Sequence, residues 1–511
     1  MTTDWTSPRH PLWRWALFAC AVATALPLWL VPYLPFTDLP QHVAMIATLR
    51  HWGDPLWSSP YELALGQTQY LLYYLLGALL AFPFGTAERA NLILLSATAL
   101  ALPFALRSLL RALRADDRLA LFAAPLFWSE ALLVGFFNYL AALPVMLYCL
   151  ALVVREATAS SRRGQIALAI SSVLLFYLHL TAFTFLGLAA AIALFWLPRE
   201  ATILERFRSL PSRGLWGVPA IVLVITWLAT SQVVHPAAVG FRRPSEPTWQ
   251  SPIEAIHTFP DALLDIWKGP QDEWCLLALL LCGALLAFPR EQPAEEAAAI
   301  RLRGLVVLWS LLAVALFFVT PISIGWLWAL NHRYAIIVAL LAPALLRPPP
   351  GLRGALPLVG VALVAFFAAG TATAKCRAFN EEVGPFDEVM AKAAPGKRLL
   401  GLIYDRGSSV AKFAPFLHFH SYYRARHGGI AEFSFTELPQ SPLRYKPGVV
   451  PAQRPLSWEW QPEWFHNPTE GAFYDYVLVR GVRDPFQRAP PGGPQWTLLS
   501  ASGLWRLYGR K

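Results

Sequence analysis

The sequence has 511 residues, 56% of them hydrophobic and only 14% charged, with a formal net charge of +10. Soluble domains carry about a quarter charged residues, so the composition excludes an ordinary water-soluble enzyme and points to a polytopic membrane protein. The positive excess is nearly all Arg, gathers between apolar runs and lacks interleaved aromatics, so it sets topology and argues against nucleic acid as a partner.

Arg9, His10 and Arg14 precede a first apolar run at 13–33, which lacks a small-residue cleavage site and is expected to remain as a span. Next comes the outer loop 34–66, with the segment FTDLPQHVAMIATLRHWGDP. Asp38 precedes Pro40, a residue at home in a helix's first turn, and apolar residues follow at helical spacing. A helix over 40–52 lying along the membrane surface is expected, with His42 one turn beyond Asp38. Asp38 is a candidate general base and His42 a candidate partner for substrate or phosphate; the plain alternative is that Asp38 only caps the helix.

Apolar segments continue at 67–83, 88–107, 119–129 with 131–154, 165–179 with 181–197, 214–232, 273–289, 304–320, 333–347 and 355–374. Basic clusters at Arg107–Arg118, Arg155–Arg163, Arg199–Arg213, Arg290–Arg303 and Arg347/Arg353 all fall on the cytoplasmic side if 119–154 and 165–197 are helical hairpins. Segment 67–83 is then re-entrant or interfacial, the N-terminus is cytoplasmic, and about 11–12 membrane segments result. Glu130 and His179 sit at the hairpin tips; a carboxylate near membrane depth faces a polar cavity or a partner. The outer loop 233–272 carries Arg242 and Arg243 as anion-binding candidates. His332 and Arg333 open the span 333–347 from the outer side, against the positive-inside trend, and a guanidinium there suits a phosphate.

The tail, 375–511, changes character. Strand-like runs at Arg398–Asp405, Tyr474–Gly481 and Trp496–Tyr508 and a helix near 383–394 predict a small extracytoplasmic α/β domain, with 439–470 irregular. His418, His420 and His427 lack Cys or acidic company, so their run, AKFAPFLHFHSYYRARHGG, reads as an aromatic loop packed on the membrane face. The five Cys, four of them in apolar spans, give neither a disulfide framework nor metal spacing. The fold class is thus mainly α: a transmembrane bundle over 1–374 and a soluble α/β domain over 375–511.

Taken together, the first-loop acid Asp38, the Arg-led span AERANLILL, the Glu130 hairpin, the late HRYAIIVALLAPALL span and the outer domain resemble the GT-C superfamily of membrane glycosyltransferases. Leu39 stands where many members have a second acid. The resemblance implies inverting transfer of a sugar from a polyprenyl-phosphate donor to a glycan, lipid or protein acceptor in the envelope, at the outer face of a bacterial inner membrane. Asp38 and Glu130 would take the catalytic positions and Arg333 the late-span basic position, and the resemblance leaves room for a divalent cation. The rival is a non-catalytic membrane protein: a transporter or flippase-like component, a scaffold, or an inactive transferase relative. Ionisable groups clustered at one surface and the lack of a visible repeat favour the enzyme.

Overall fold

The computed structural model describes residues 4–197, 202–231, 246–287, 297–449, 458–487 and 492–511. Among these, five helices are long and apolar enough to cross a membrane: Leu12–Trp29, Ala87–Ala112, Phe137–Thr158, Ala297–Val319 and Leu352–Met390. Shorter apolar helices stand beside them, among them Leu72–Phe84, Leu180–Trp196, Leu215–Thr230 and His332–Leu345. The protein is an integral membrane protein.

Three expectations change. Segment 119–129 is not one arm of an α-helical hairpin but two 3-10 turns, Asp117–Ala123 and Pro125–Phe127, and residues 118–129 are all buried. Wrapped by protein instead of lipid, this backbone need not form a regular helix at membrane depth. Its rise of about 2.0 Å per residue also carries it farther than an α-helix of the same length. Second, the surface helix is real, at Leu39–Arg50, but residues 39–48 are all buried. The helix is roofed by a helix of the tail, Ser421–His427, in the run read as a loop. Third, Trp496–Tyr508 is a hairpin and not a single strand, turning at Gly503 with φ +58°.

Segment 67–83 overlaps the 13-residue helix Leu72–Phe84. At about 20 Å it falls short of a ~30 Å hydrocarbon core. Segment 165–197 is two helices, Arg162–Leu178 and Leu180–Trp196, broken at the extended residue His179.

Among the described residues, nine strands form three sheets: β1 (Tyr61–Leu63), β2 (Ser323–Ile324), β3 (Leu327–Trp328), β4 (Arg398–Ile403), β5 (Ile430–Glu432), β6 (Leu443–Tyr445), β7 (Tyr476–Arg480), β8 (Trp496–Ser502) and β9 (Trp505–Arg510). The tail is built on a five-stranded sheet of order β5-β4-β7-β9-β8, parallel through β5, β4 and β7 and antiparallel beyond. Alternation along β4 sends Leu399 and Ile403 to one face, with Phe379, Phe386, Phe419 and Trp505. Leu400 and Leu402 go to the other face, with Tyr474, Val477 and Trp458. The helix from Leu352 runs unbroken to Val383, so it ends inside the tail's own core.

The tail is fastened to the bundle by polar and paired contacts. β1 of the first outer loop pairs antiparallel with β6 of the tail, Glu62 opposite Arg444. Arg426 bonds Glu88 at 3.0 Å and Asp387 at 2.7 Å and lies over the ring of Tyr33. These contacts hold the roof over the helix Leu39–Arg50, and with it the first outer loop.

Candidate active site

Between bundle and tail lies a cavity of about 1310 Å³. Its walls come from the first outer loop, the tip before Phe137–Thr158, the break at His179, the β2–β3 hairpin and start of the late helix, and the tail. Asp38, His42, His179 and Arg333 all line it. Glu130 and His332 are not among the lining residues; they pair with each other, Glu130 Oε2 to His332 Nδ1 at 2.8 Å. Arg242 and Arg243 lie outside the described residues.

Asp38 stands at the N-cap of the helix Leu39–Arg50, yet its side chain makes no capping hydrogen bond. Its Oδ1 instead meets Nδ1 of His418, from the tail, at 3.0 Å. The backbone entering Asp38 is held by the last carbonyls of the short helix Glu130–Val134: Thr37 N–H donates to Leu133 O at 2.9 Å and Asp38 N–H to Val134 O at 3.1 Å. Gly135 makes this approach possible. Its φ is +105°, and a Cβ there would lie 2.5 Å from the Cβ of Asp38. Gly135→Ala is therefore expected to cost about 1–3 kcal/mol in backbone strain and to push Asp38 out of place. A lower melting temperature together with reduced activity would register both; a melt matching that of the unaltered protein would refute it.

His42 corrects an expectation. Its Nε2–H donates to Gly135 O at 2.7 Å, and its Nδ1 accepts from the Tyr74 hydroxyl at 3.0 Å. Both nitrogens are used inside the protein, and burial pushes the imidazole down to about 4. This histidine fixes the floor beneath Asp38 and has no nitrogen free for a ligand.

At the His179–Arg333 part of the cavity the polar groups are donors facing one another. His179 caps the helix Leu180–Trp196, its Nδ1 accepting from Thr181 N–H at 3.1 Å, so the ring proton sits on Nε2. That Nε2 lies 3.3 Å from Nη1 of Arg333. Arg333 is held from its other terminal nitrogen, Nη2 donating to Trp328 O at 3.4 Å. Arg333 is 7% exposed, stacks over Phe136 at 4.5 Å, and has a buried Nε with no hydrogen-bond partner. Both amide atoms of Asn138, which also lines the cavity, are unpartnered too. The Tyr139 hydroxyl donates to Arg333 O and pins the start of the helix His332–Leu341.

Two lining residues stand out beyond those expected from sequence. His418 was legible only as part of an H-x-H in an aromatic run. Glu459, in a Trp-Glu-Trp turn of the segment read as irregular, has a buried Oε2 without a hydrogen-bond partner. Burial, followed by the nearby Asp38 charge, pushes its carboxyl up, against the pull of His418. For a divalent cation, no group of three or more His, Cys, Asp or Glu among the described residues is arranged to hold one. Asp38 already has His418 on one oxygen.

Neither a family model nor a curated protein matches the sequence. Solved structures do match. ArnT from Cupriavidus metallidurans bound to undecaprenyl phosphate superimposes with a TM-score of 0.56 at 13% identity, covering 98% of each chain. Its apo state gives 0.53 at 14% identity over 97% of each. This chain has the GT-C fold. The mycobacterial arabinofuranosyltransferase AftD matches with a TM-score of 0.50 at 16% identity, over 99% of this chain but 40% of its own. At 13–16% identity the likeness is one of fold, and at that level the expected resemblance and the mainly helical fold class hold across nearly the whole length of this chain. A GT-C fold of this kind accounts for the layout described above, a helical bundle capped by a mixed-sheet domain with a cavity between.

Proposed function

We propose that the protein transfers a sugar from a polyprenyl-phosphate donor to a hydroxyl of an envelope glycan, lipid or protein, at the outer face of a bacterial inner membrane. The observation that carries this reading is the placement, in one cavity, of a carboxylate acceptor at Asp38 and the guanidinium of Arg333, whose buried Nε has no hydrogen-bond partner, beside His179. Asp38 takes the proton of the attacking hydroxyl as its oxygen bonds to the anomeric carbon. The bond from that carbon to the phosphate oxygen breaks, and its electron pair leaves with the lipid phosphate. Arg333 and His179 accept this growing negative charge with donors already aimed, which is where preorganised electrostatics contributes most. Support comes also from ArnT, whose structure holds undecaprenyl phosphate within the same fold. Glu130 belongs to the support of Arg333 in this scheme: its partner His332 is the residue before the guanidinium.

The test is binding of undecaprenyl phosphate against undecaprenol, the same lipid without its phosphate, to purified protein. The unaltered protein is expected to prefer the phosphate at least 10-fold, and Arg333→Gln to lose most of that preference by removing a buried charge-assisted contact. Equal affinity for both lipids in the unaltered protein would end the proposal.

A further inference from the structure

The cavity joins two parts of the chain that the proposed chemistry, taken from the bundle alone, does not require together. His418 belongs to the tail, and Asp38 precedes it by 380 residues. The contact is nevertheless direct, at 3.0 Å, between side chains that are 6% and 16% exposed. We infer that His418 is the positioning residue for the Asp38 base: its Nδ1–H holds Oδ1 and leaves the other carboxylate oxygen to receive the acceptor's proton.

The His418 ring is not placed by this bond alone. It stacks on Phe433 with centroids 5.8 Å apart and 26° between planes, and meets the edge of Phe435 at 6.0 Å. Its other nitrogen, Nε2, is buried and has no hydrogen-bond partner. A buried N–H without an acceptor is costlier than a buried lone pair without a donor, because an orphaned donor is the rarer and less tolerated case. The proton is therefore assigned to Nδ1, where Asp38 accepts it. A carboxylate that accepts one fixed N–H cannot swing freely, and base and hydroxyl are held at a near-attack separation only if that rotation is stopped. The surrounding ionisable groups are compatible with this arrangement. His42 is fully engaged with Gly135 and Tyr74, and His420 donates through Nε2 to Phe433 O at 2.9 Å. Glu459 lines the same cavity as His418 and Asp38. None of these competes for Nδ1.

A consequence follows for the role of the tail. The same Phe433 carbonyl that His420 engages also accepts from Nε2 of Gln41, in the helix following Asp38, at 2.8 Å. The segment carrying His418 is thus clamped to the helix that follows Asp38, and the base is set in its working orientation only while the tail is docked.

The inference rests on the transfer reading above, and two substitutions separate it from a packing role. His418→Phe keeps the aromatic stack and removes the N–H; His418→Asn removes the ring and keeps a donor at the Nδ1 position. Release of undecaprenyl phosphate is followed from undecaprenyl-phosphate-linked hexose and pentose donors, with a cell-envelope extract as acceptor. Expected are a fall in kcat of about 10- to 100-fold for His418→Phe, with KM for the donor within about 2-fold, and recovery in His418→Asn to within about 5-fold of the unaltered protein. The reverse order, His418→Phe active and His418→Asn impaired, would show the ring serving as packing and overturn the inference alone. So would two variants as active as the unaltered protein, or two equally impaired while still eluting as single species in detergent. No release by the unaltered protein would remove the transfer reading together with this inference.

Discussion

Asp38→Asn is expected to lower transfer by about 10³-fold while the protein folds, inserts and binds undecaprenyl phosphate as before. The substitution is nearly isosteric, and the contacts around it predict a silent structural effect. The Asp38 backbone N–H still reaches Val134 O, and Asn retains a side-chain oxygen that accepts from His418 Nδ1 at the present 3.0 Å. What disappears is the capacity to bind a proton. A capping role would give the opposite result, since Asn is as good an N-cap as Asp, but the side chain makes no such bond here. The measurement is release of undecaprenyl phosphate from its sugar-linked form, compared with equilibrium binding of the free lipid phosphate on the same preparation. Turnover within about 10-fold of the unaltered protein, with binding intact, would remove Asp38 from the chemistry.

The sequence made some of this site legible and hid the rest for reasons that are physical. Pro40 and the helical spacing after it located the helix Leu39–Arg50, because first-turn proline and local periodicity are local signals. The same spacing suggested a helix lying along the membrane surface, but gave no sign that residues 39–48 would be buried beneath the tail. The cover over the helix comes from Arg424 and its neighbours, more than 370 residues later, and no window along the chain can register it. Segment 119–129 failed for a related reason: an apolar run reads alike whether its neighbours are lipid or protein, and only packing tells the two apart. Arg333 and His179 were both legible as polar residues out of place in apolar stretches. Their convergence at 3.3 Å was not, nor was the exchange by which Glu130 pairs with His332 away from the cavity walls. His418 is the instructive miss. Its sequence neighbourhood is aromatic because the side chain needs a ring stack to hold it, and that same environment made it look like filler.

The largest stability effect is expected at Arg424, where the roof is pinned. The side chain is 1% exposed. Its Nε donates to Thr48 Oγ1 at 3.0 Å, its Nη1 to Ser434 Oγ at 2.6 Å, and its Nη2 points to Met45 Sδ at 3.5 Å. The guanidinium carbon sits 4.4 Å above the ring of Tyr61, whose hydroxyl donates to Gly429 O at 2.7 Å. One residue therefore binds the helix Leu39–Arg50, the first outer loop at β1 and the tail at the end of its helix. Arg424→Met fills much of the same volume with apolar atoms but cancels the two hydroxyl contacts and the stacking over Tyr61. The hydrogen bonds to a charged group and the desolvated cation–ring contact together amount to about 3 kcal/mol. Arg424→Lys should fall between, because an ammonium retains charge but cannot span Thr48 and Ser434 with a rigid fork. The expected readouts are an earlier thermal transition in detergent and faster amide exchange at Ile430–Glu432, the strand β5 that follows. If docking sets the base, transfer activity should drop along with that protection, since His418 lies on the same side of the clamp. An Arg424→Met protein that melts with the unaltered one and exchanges at the same rate would mean that the roof is held elsewhere, at Arg426 and the β1–β6 pairing.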